Sequence, residues 1–395
     1  MKKAIIMGII NFPRGSAPAN YVQYLGLALQ DLGYAVSVYS NVNEDCKELV
    51  KYNTYYEYKG MKVKPIIVSA HNKVLHFVKY NFLMGKIMAD MLDECDLTDE
   101  DIVITYGNIC LFQEKVFSKA NKYGAKTFAC ITEHFPASHY KHGRFSPYYW
   151  RYCYTMAVSI PKAKNIFPIS RHLQNYYEEK GCNTLLLPIM ADPFEYEFVP
   201  KPNDGICRIV FPSNGFVKDA LQKMLKGISS LSEKELQKVE IHFTGIGMEK
   251  LKENADDKFL CMIGKQVIIH SWLEYTELVA LYQKMDYLLL AREDNQMTRA
   301  NFPSKVPEVM CYGVVPIVSR VGDYTDLYLK DMYNSIVFDG CAAENILNAL
   351  RVAINLPEDK KKELAQNARN TAEREFYYKN WENAISRFIA NEENN

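Results

Sequence analysis

The chain has 395 residues, which at roughly 150 residues per domain points to two or three folding units. Hydrophobic residues make up 48% and charged residues 24%, close to an average soluble globular protein. This excludes a mostly disordered chain, a coiled coil and a collagen-like fibre. Lysine plus arginine and aspartate plus glutamate both total 47, so the chain lacks the global basic surplus of a nucleic-acid-binding protein.

The amino terminus, Met1-Lys2-Lys3 followed by the apolar run Ala4 to Ile10, imitates a signal peptide. Asn11, Pro13 and Arg14 follow at once, and a strand covered on both faces of a parallel sheet explains the run better. After a turn-rich loop, Ser16 can cap a helix whose first turn holds Pro18. That helix shows Tyr21, Leu25, Leu29 and Leu32 at helical spacing and stops at Gly33, and residues 35–39 form the next strand. Further strands are predicted at 63–68, 101–106, 126–131, 165–169 and 185–188. The run Pro200 to Gly205 is a linker by composition. A second series follows at 208–211, 239–243, 266–270, 286–290, 314–319 and 335–338. From Glu358 onward the chain reads as helical, anchored by Phe376, Trp381 and Phe388.

This alternation predicts an α/β protein of two successive doubly wound domains, 1–200 and 201–372, with a helix at 373–395 packing back on the first. Ligands of such sheets bind outside the carboxyl ends of the strands, so the loops there and the cleft between the domains are the places to search. No stretch of about 18 apolar residues predicts a spanning helix. The ten cysteines are scattered without a Cys-x-x-Cys pair, which suits small buried hydrophobes in a reducing, cytoplasmic compartment.

The segment Asn301 to Val318 is the most informative. It reads as a loop, a short helix starting near Ser304, a stop at Gly313 and a buried strand. A helix amino terminus with Lys305 suits a diphosphate, and the Glu308 carboxylate can accept two hydrogen bonds from vicinal hydroxyls such as those of a ribose. A capped surface helix with a dipole-matched glutamate is the alternative.

The run from Phe302 through Glu308 to Gly313 and Pro316 resembles the nucleotide-sugar signature of glycosyltransferase family 4. Its members are retaining enzymes of the GT-B architecture, with two facing Rossmann-like domains and an interdomain cleft. The family motif is a Glu, seven residues and a second Glu; Glu308 matches the second, and Ala300 stands where the first would be. Phe211 to Asp219 resembles the family's Gly-…-Lys loop, whose lysine contacts the donor diphosphate. His270-Ser271-Trp272 resembles the segment that borders the base. Thr132-Glu133-His134 follows a predicted strand where the family often places a group beside the donor sugar.

The resemblance implies donor contacts from Gly15, Asn214, Gly215, Lys218, Phe302, Pro303, Ser304, Lys305 and Glu308, and catalytic roles for His134 and Glu133. It implies no metal and no cofactor beyond the donor, a UDP-sugar or a GDP-sugar. The implied activity is a retaining, hexosyltransferase-type transfer to a glycan or lipid-linked acceptor in polysaccharide assembly. An epimerase, a phosphorylase, or a sugar-nucleotide-binding protein without turnover are the alternatives. Residues 73–86 and 140–152 interleave bases and aromatics. Acceptor stacking or internal packing ranks above lipid headgroups as their explanation, with peripheral contact at the inner face of a membrane as the third.

Overall fold

The computed structural model describes residues 1–14, 16–68, 71–107, 111–202, 204–213, 218–270 and 272–390. Gly15, Asn214 and Gly215 of the expected donor set, together with Ser271, lie outside the described residues. The chain divides into two compact units, Met1–Met190 with Tyr378–Asn395, and Ala191–Tyr377.

The first unit carries β1 (Lys3–Phe12), β2 (Ala35–Val42), β3 (Val50–Lys51), β4 (Tyr56–Tyr58), β5 (Met61–Pro65), β6 (Ile102–Tyr106), β7 (Lys126–Ile131), β8 (Asn165–Pro168) and β9 (Asn183–Thr184). They form one sheet in the order β3-β4-β5-β2-β1-β6-β7-β8-β9. From β5 to β9 every pairing is parallel. Six of these strands, β5-β2-β1-β6-β7-β8, follow the doubly wound order 3-2-1-4-5-6.

Its centre is β1, where Ala4, Ile5, Ile6 and Met7 are all buried. Each such isoleucine contributes roughly 1.5–3 kcal/mol of burial, so the segment is held as a strand. Ser16 caps the following helix, Ala17–Asp31, by accepting a hydrogen bond from the Ala19 amide at 3.3 Å. Tyr21, Leu25 and Leu29 turn its buried face to the sheet, and Gly33 leaves it at φ 86°.

Two details differ from expectation. The antiparallel pairing of β3, β4 and β5 was not predicted, because these short edge strands have no continuous apolar run. The strand expected at 185–188 is β9, two residues earlier; beyond it only the Leu185 and Leu187 amides still bond to the β8 carbonyls.

The second unit carries β10 (Cys207–Pro212), β11 (Val239–Thr244), β12 (Val267–Ile269), β13 (Tyr287–Leu290), β14 (Val315–Ser319) and β15 (Ile336–Phe338). Their order, β12-β11-β10-β13-β14-β15, is again 3-2-1-4-5-6, and all pairings are parallel. The chain then runs through helix Glu358–Thr371 and rejoins the first unit. There Phe388 packs edge-on against Phe128 and Phe167, and Lys126 Nζ donates to the Ile389 carbonyl at 2.8 Å. Among the described residues no helix is long and apolar enough to cross a membrane.

Candidate functional site

In the second sheet the strand order reverses between β10 and β13, so the loops after these strands flank a crevice at their carboxyl ends. Arg292 leaves β13 at this point and is buried. Its Nε donates to Asp219 Oδ1 at 2.9 Å and its Nη1 donates to Asn301 Oδ1 at 2.8 Å. Its backbone amide donates to Ser319 Oγ at 2.7 Å. Asp219, after β10, also accepts from Ser213 Oγ. The guanidinium is thus fixed by a buried counter-charge and an amide oxygen.

Lys218, half-buried, precedes Asp219 in the chain. Lys250 belongs to helix Met248–Asn254, which follows β11; burial pulls its ammonium below the usual lysine range, and the Asp219 carboxylate opposes that shift. The loops at this end of the second sheet thus carry two lysines besides the Arg292–Asp219 pair.

The loop after β13 leads to helix Lys305–Met310. The helix has six residues and Ser304 makes no capping bond, so its dipole is weak and an anion here would rely on the Lys305 charge. Lys305 Nζ donates to Glu308 Oε2 at 3.0 Å. Glu308 is buried, and its other oxygen, Oε1, has no hydrogen-bond partner among the described residues. The Tyr282 hydroxyl is also buried, again without a partner among the described residues. Burial, and then the Glu308 carboxylate nearby, push its pKa well up.

Native structures leave few buried polar atoms unmatched, so an acceptor and a hydroxyl waiting together suit a polyhydroxylated ligand. The Phe302 ring is buried against Tyr324, Tyr328 and Phe376. Pro303 is buried beside it, and Ala300 is fully buried, so position 300 presents only a methyl group to its surroundings.

At the edge of this sheet His242 Nδ1 and His270 Nε2 share a hydrogen bond of 2.9 Å. Burial, then the His270 ring, pull His242 down to about 4.

In the first unit, Glu133 and His134 follow β7 and are half-buried. His134 Nδ1 and His172 Nε2 are 3.1 Å apart, and the His134 ring packs against those of Tyr152 and Tyr176. Burial, then the His172 ring, hold His134 at about 4, below its ordinary 6.5. At neutral pH it is a neutral imidazole that can share a hydrogen bond but carries no charge. Arg14, after β1, donates from Nε to the Tyr58 hydroxyl at 2.6 Å.

These depressed histidines have a pH consequence. The unfolded chain protonates them near 6.5, whereas the folded chain resists until about 4. Stability is therefore full above about 6.5 and declines as the pH falls towards 4. The melting temperature should drop between about pH 7 and about pH 4.5, and His134→Gln with His242→Gln should flatten that drop. An identical drop in the double variant would assign it to other groups.

The sequence singles out Lys305 and Glu308, and the structure adds Arg292 with its partner Asp219, Lys250 and Tyr282 to the residues of this region. One signal was available: Arg292 is a charged residue directly behind the apolar run Tyr287 to Ala291, where a sheet opens.

Residues 197–371 match the family model described as glycosyl transferases group 1. A search of curated proteins gives no match. Solved structures resemble the whole chain. One is the apo form of the lipopolysaccharide outer core galactosyltransferase WaaB, with TM-score 0.65, 16% identity and 100% of each chain covered. Another is sucrose-phosphate synthase from Thermosynechococcus elongatus, with TM-score 0.72, 11% identity and 99% of each chain covered. A third is described as trehalose-6-phosphate from E. coli bound with UDP-2-fluoro glucose, with TM-score 0.68, 10% identity and 98% and 99% covered. The chain shares with them the GT-B fold of two Rossmann-like domains.

Proposed function

Because the fold is GT-B and residues 197–371 match glycosyl transferases group 1, we propose that the chain moves a sugar from a nucleoside-diphosphate sugar to a glycan or lipid-linked acceptor, with retention, in polysaccharide assembly. The observation that carries this reading is Glu308 Oε1, a buried acceptor with no partner among the described residues, in the same short helix as Lys305. A carboxylate so placed would take the ribose hydroxyls, and Lys218 with Lys305 would meet the diphosphate. The proposed donor is a UDP-sugar, with a GDP-sugar as the alternative.

In the reaction, the acceptor oxygen bonds to the anomeric carbon as the bond from that carbon to the diphosphate oxygen breaks. The electron pair leaves with the diphosphate, which also receives the acceptor proton. The leaving group gains negative charge in the transition state, which is where fixed cations contribute most. Retention by attack on the face the diphosphate leaves needs no protein nucleophile. Glu133 and His134 are proposed to orient the reacting sugar, His134 as a neutral hydrogen-bonding group. Association with the inner face of a membrane, from a cytoplasmic location, is part of this reading.

Ala300 favours a second reading, a sugar-nucleotide-binding protein without turnover. Release of nucleoside diphosphate from UDP-sugars, with and without acceptor glycans, separates the two. Acceptor-dependent release supports transfer, and binding without release supports the second reading. Calorimetry with UDP and with uridine tests the lysines. Lys218→Ala and Lys305→Ala should each weaken UDP binding by about 1–3 kcal/mol, the scale of a charge-assisted bond, and uridine binding far less. Equal losses for both ligands would remove the lysines from the diphosphate.

A further inference from the structure

His134 and His172 follow different strands, and the sheet brings them together. β7 and β8 are parallel neighbours, with Ile131 beside Pro168. His134 stands three residues beyond Ile131, and His172 four beyond Pro168. Ser170 caps helix Arg171–Glu178 by accepting from the Leu173 amide, and Leu173 and Tyr177 are its buried side chains. His172 is thereby held in the first turn of that helix. The two imidazole rings meet at 5.3 Å between centroids and 45° between planes, with His134 Nδ1 3.1 Å from His172 Nε2.

Two tyrosines complete the setting of the His134 ring. Tyr176 lies 5.4 Å from it and is itself braced edge-on by the buried Tyr177. Tyr152 lies 6.4 Å away, and its hydroxyl accepts from the Phe135 amide at 2.8 Å, which ties down the backbone next to His134. A half-buried loop histidine is thus held by three rings. Glu133, its chain neighbour, and the Tyr152 and Tyr176 phenols are the further titratable groups around it.

The identity of the partner matters. A carboxylate bonded to an imidazole orients the ring but also favours the imidazolium. A second neutral imidazole supplies the same direction without adding a charge. His172 also stands at the amino end of a helix, where the dipole opposes its protonation. A neutral imidazole carries one N–H, so the bond made by Nδ1 decides whether Nε2 donates or accepts.

We propose that His172 is a positioning residue for the transfer reaction: by holding His134 Nδ1 it fixes the orientation and the tautomer of that ring, so that Nε2 meets the reacting sugar in one hydrogen-bonding state. This rests on the reading above that His134 orients the sugar.

The test begins without substrate. Nitrogen-15 imidazole spectra of the full chain report the tautomer of His134, whose signals are assigned by their loss in His134→Gln. Wild type should show one neutral tautomer at neutral pH. His172→Gln, whose amide can replace the bond from Nε2, should keep it, and His172→Leu should show both tautomers. His172→Glu should raise the pH at which His134 titrates by at least about one unit. Both tautomers in wild type, or a single one kept in His172→Leu, overturn the proposal. Turnover is then read as UDP release from UDP-glucose and UDP-galactose, per folded molecule. His172→Leu should lower kcat about 10²-fold with little change in KM, the scale of a misplaced reacting group, and His172→Gln should recover most of it. Equal losses in the leucine and glutamine variants would make His172 a packing residue and overturn its positioning role. A wild-type chain that releases no UDP from any UDP-sugar overturns the transferase reading instead, and the spectra then still decide whether His172 holds the ring.

Discussion

Glu308→Gln is expected to weaken nucleoside-diphosphate binding by about 1–3 kcal/mol, roughly 5- to 150-fold, while the ligand-free chain melts at the same temperature or slightly higher. The two effects have one origin. Among the described residues Glu308 Oε1 is buried without a partner, and Lys305, on the other oxygen, is the group that offsets the desolvated carboxylate. A neutral amide relieves that cost. It also replaces one carboxylate oxygen by an NH2 group, so ribose hydroxyls lose charge-assisted bonds. Binding and stability therefore move in opposite directions, as is common where a site is held in a costly state for its ligand. Calorimetry with UDP beside a thermal melt measures both; unchanged affinity would take Glu308 out of the site.

Asp219→Ala should cost about 3–5 kcal/mol of stability, the range for removing one partner of a buried ion pair. The Asp219 and Arg292 side chains are 5% and 10% exposed, so the orphaned guanidinium could not rehydrate without opening the fold. Asn301 would remain as an acceptor but supplies no counter-charge. Asp219→Asn, which keeps a hydrogen-bonding oxygen, should cost distinctly less. Chemical denaturation of the three chains measures the series. An alanine variant as stable as wild type would mean that Arg292 finds a substitute partner. The effect should reach function too, because the pair fixes the backbone from which Lys218 projects.

Legibility followed the range of the interaction. Strands such as β1 and β14 are continuous apolar runs, and their chemistry is local, so residue order alone revealed them. Lys305 and Glu308 were legible because a three-residue spacing along a helix sets their contact. The Asp219–Arg292 pair was not, since 73 residues separate the partners and only the order of the sheet brings them together. His134 was expected at a strand end and is there, but His172, which sets its charge state, comes from another element. A motif drew attention to Phe302, but the burial of its ring among Tyr324, Tyr328 and Phe376 follows from packing that no motif records.

The return of residues 378–390 to the first unit bears on the order of assembly during synthesis. The second unit is one uninterrupted stretch and can close once residue 377 has left the ribosome. The first unit begins the chain yet lacks Phe388 against Phe128 and Phe167 until the second has been made. Its sheet can form early, but the aromatic surface of β7 and β8 stays uncovered for the time needed to translate roughly 190 residues, about 10–40 s at ordinary elongation rates. For that interval the nascent first unit presents exposed rings of the kind that recruits chaperones, and a truncation before Tyr378 would make the exposure permanent.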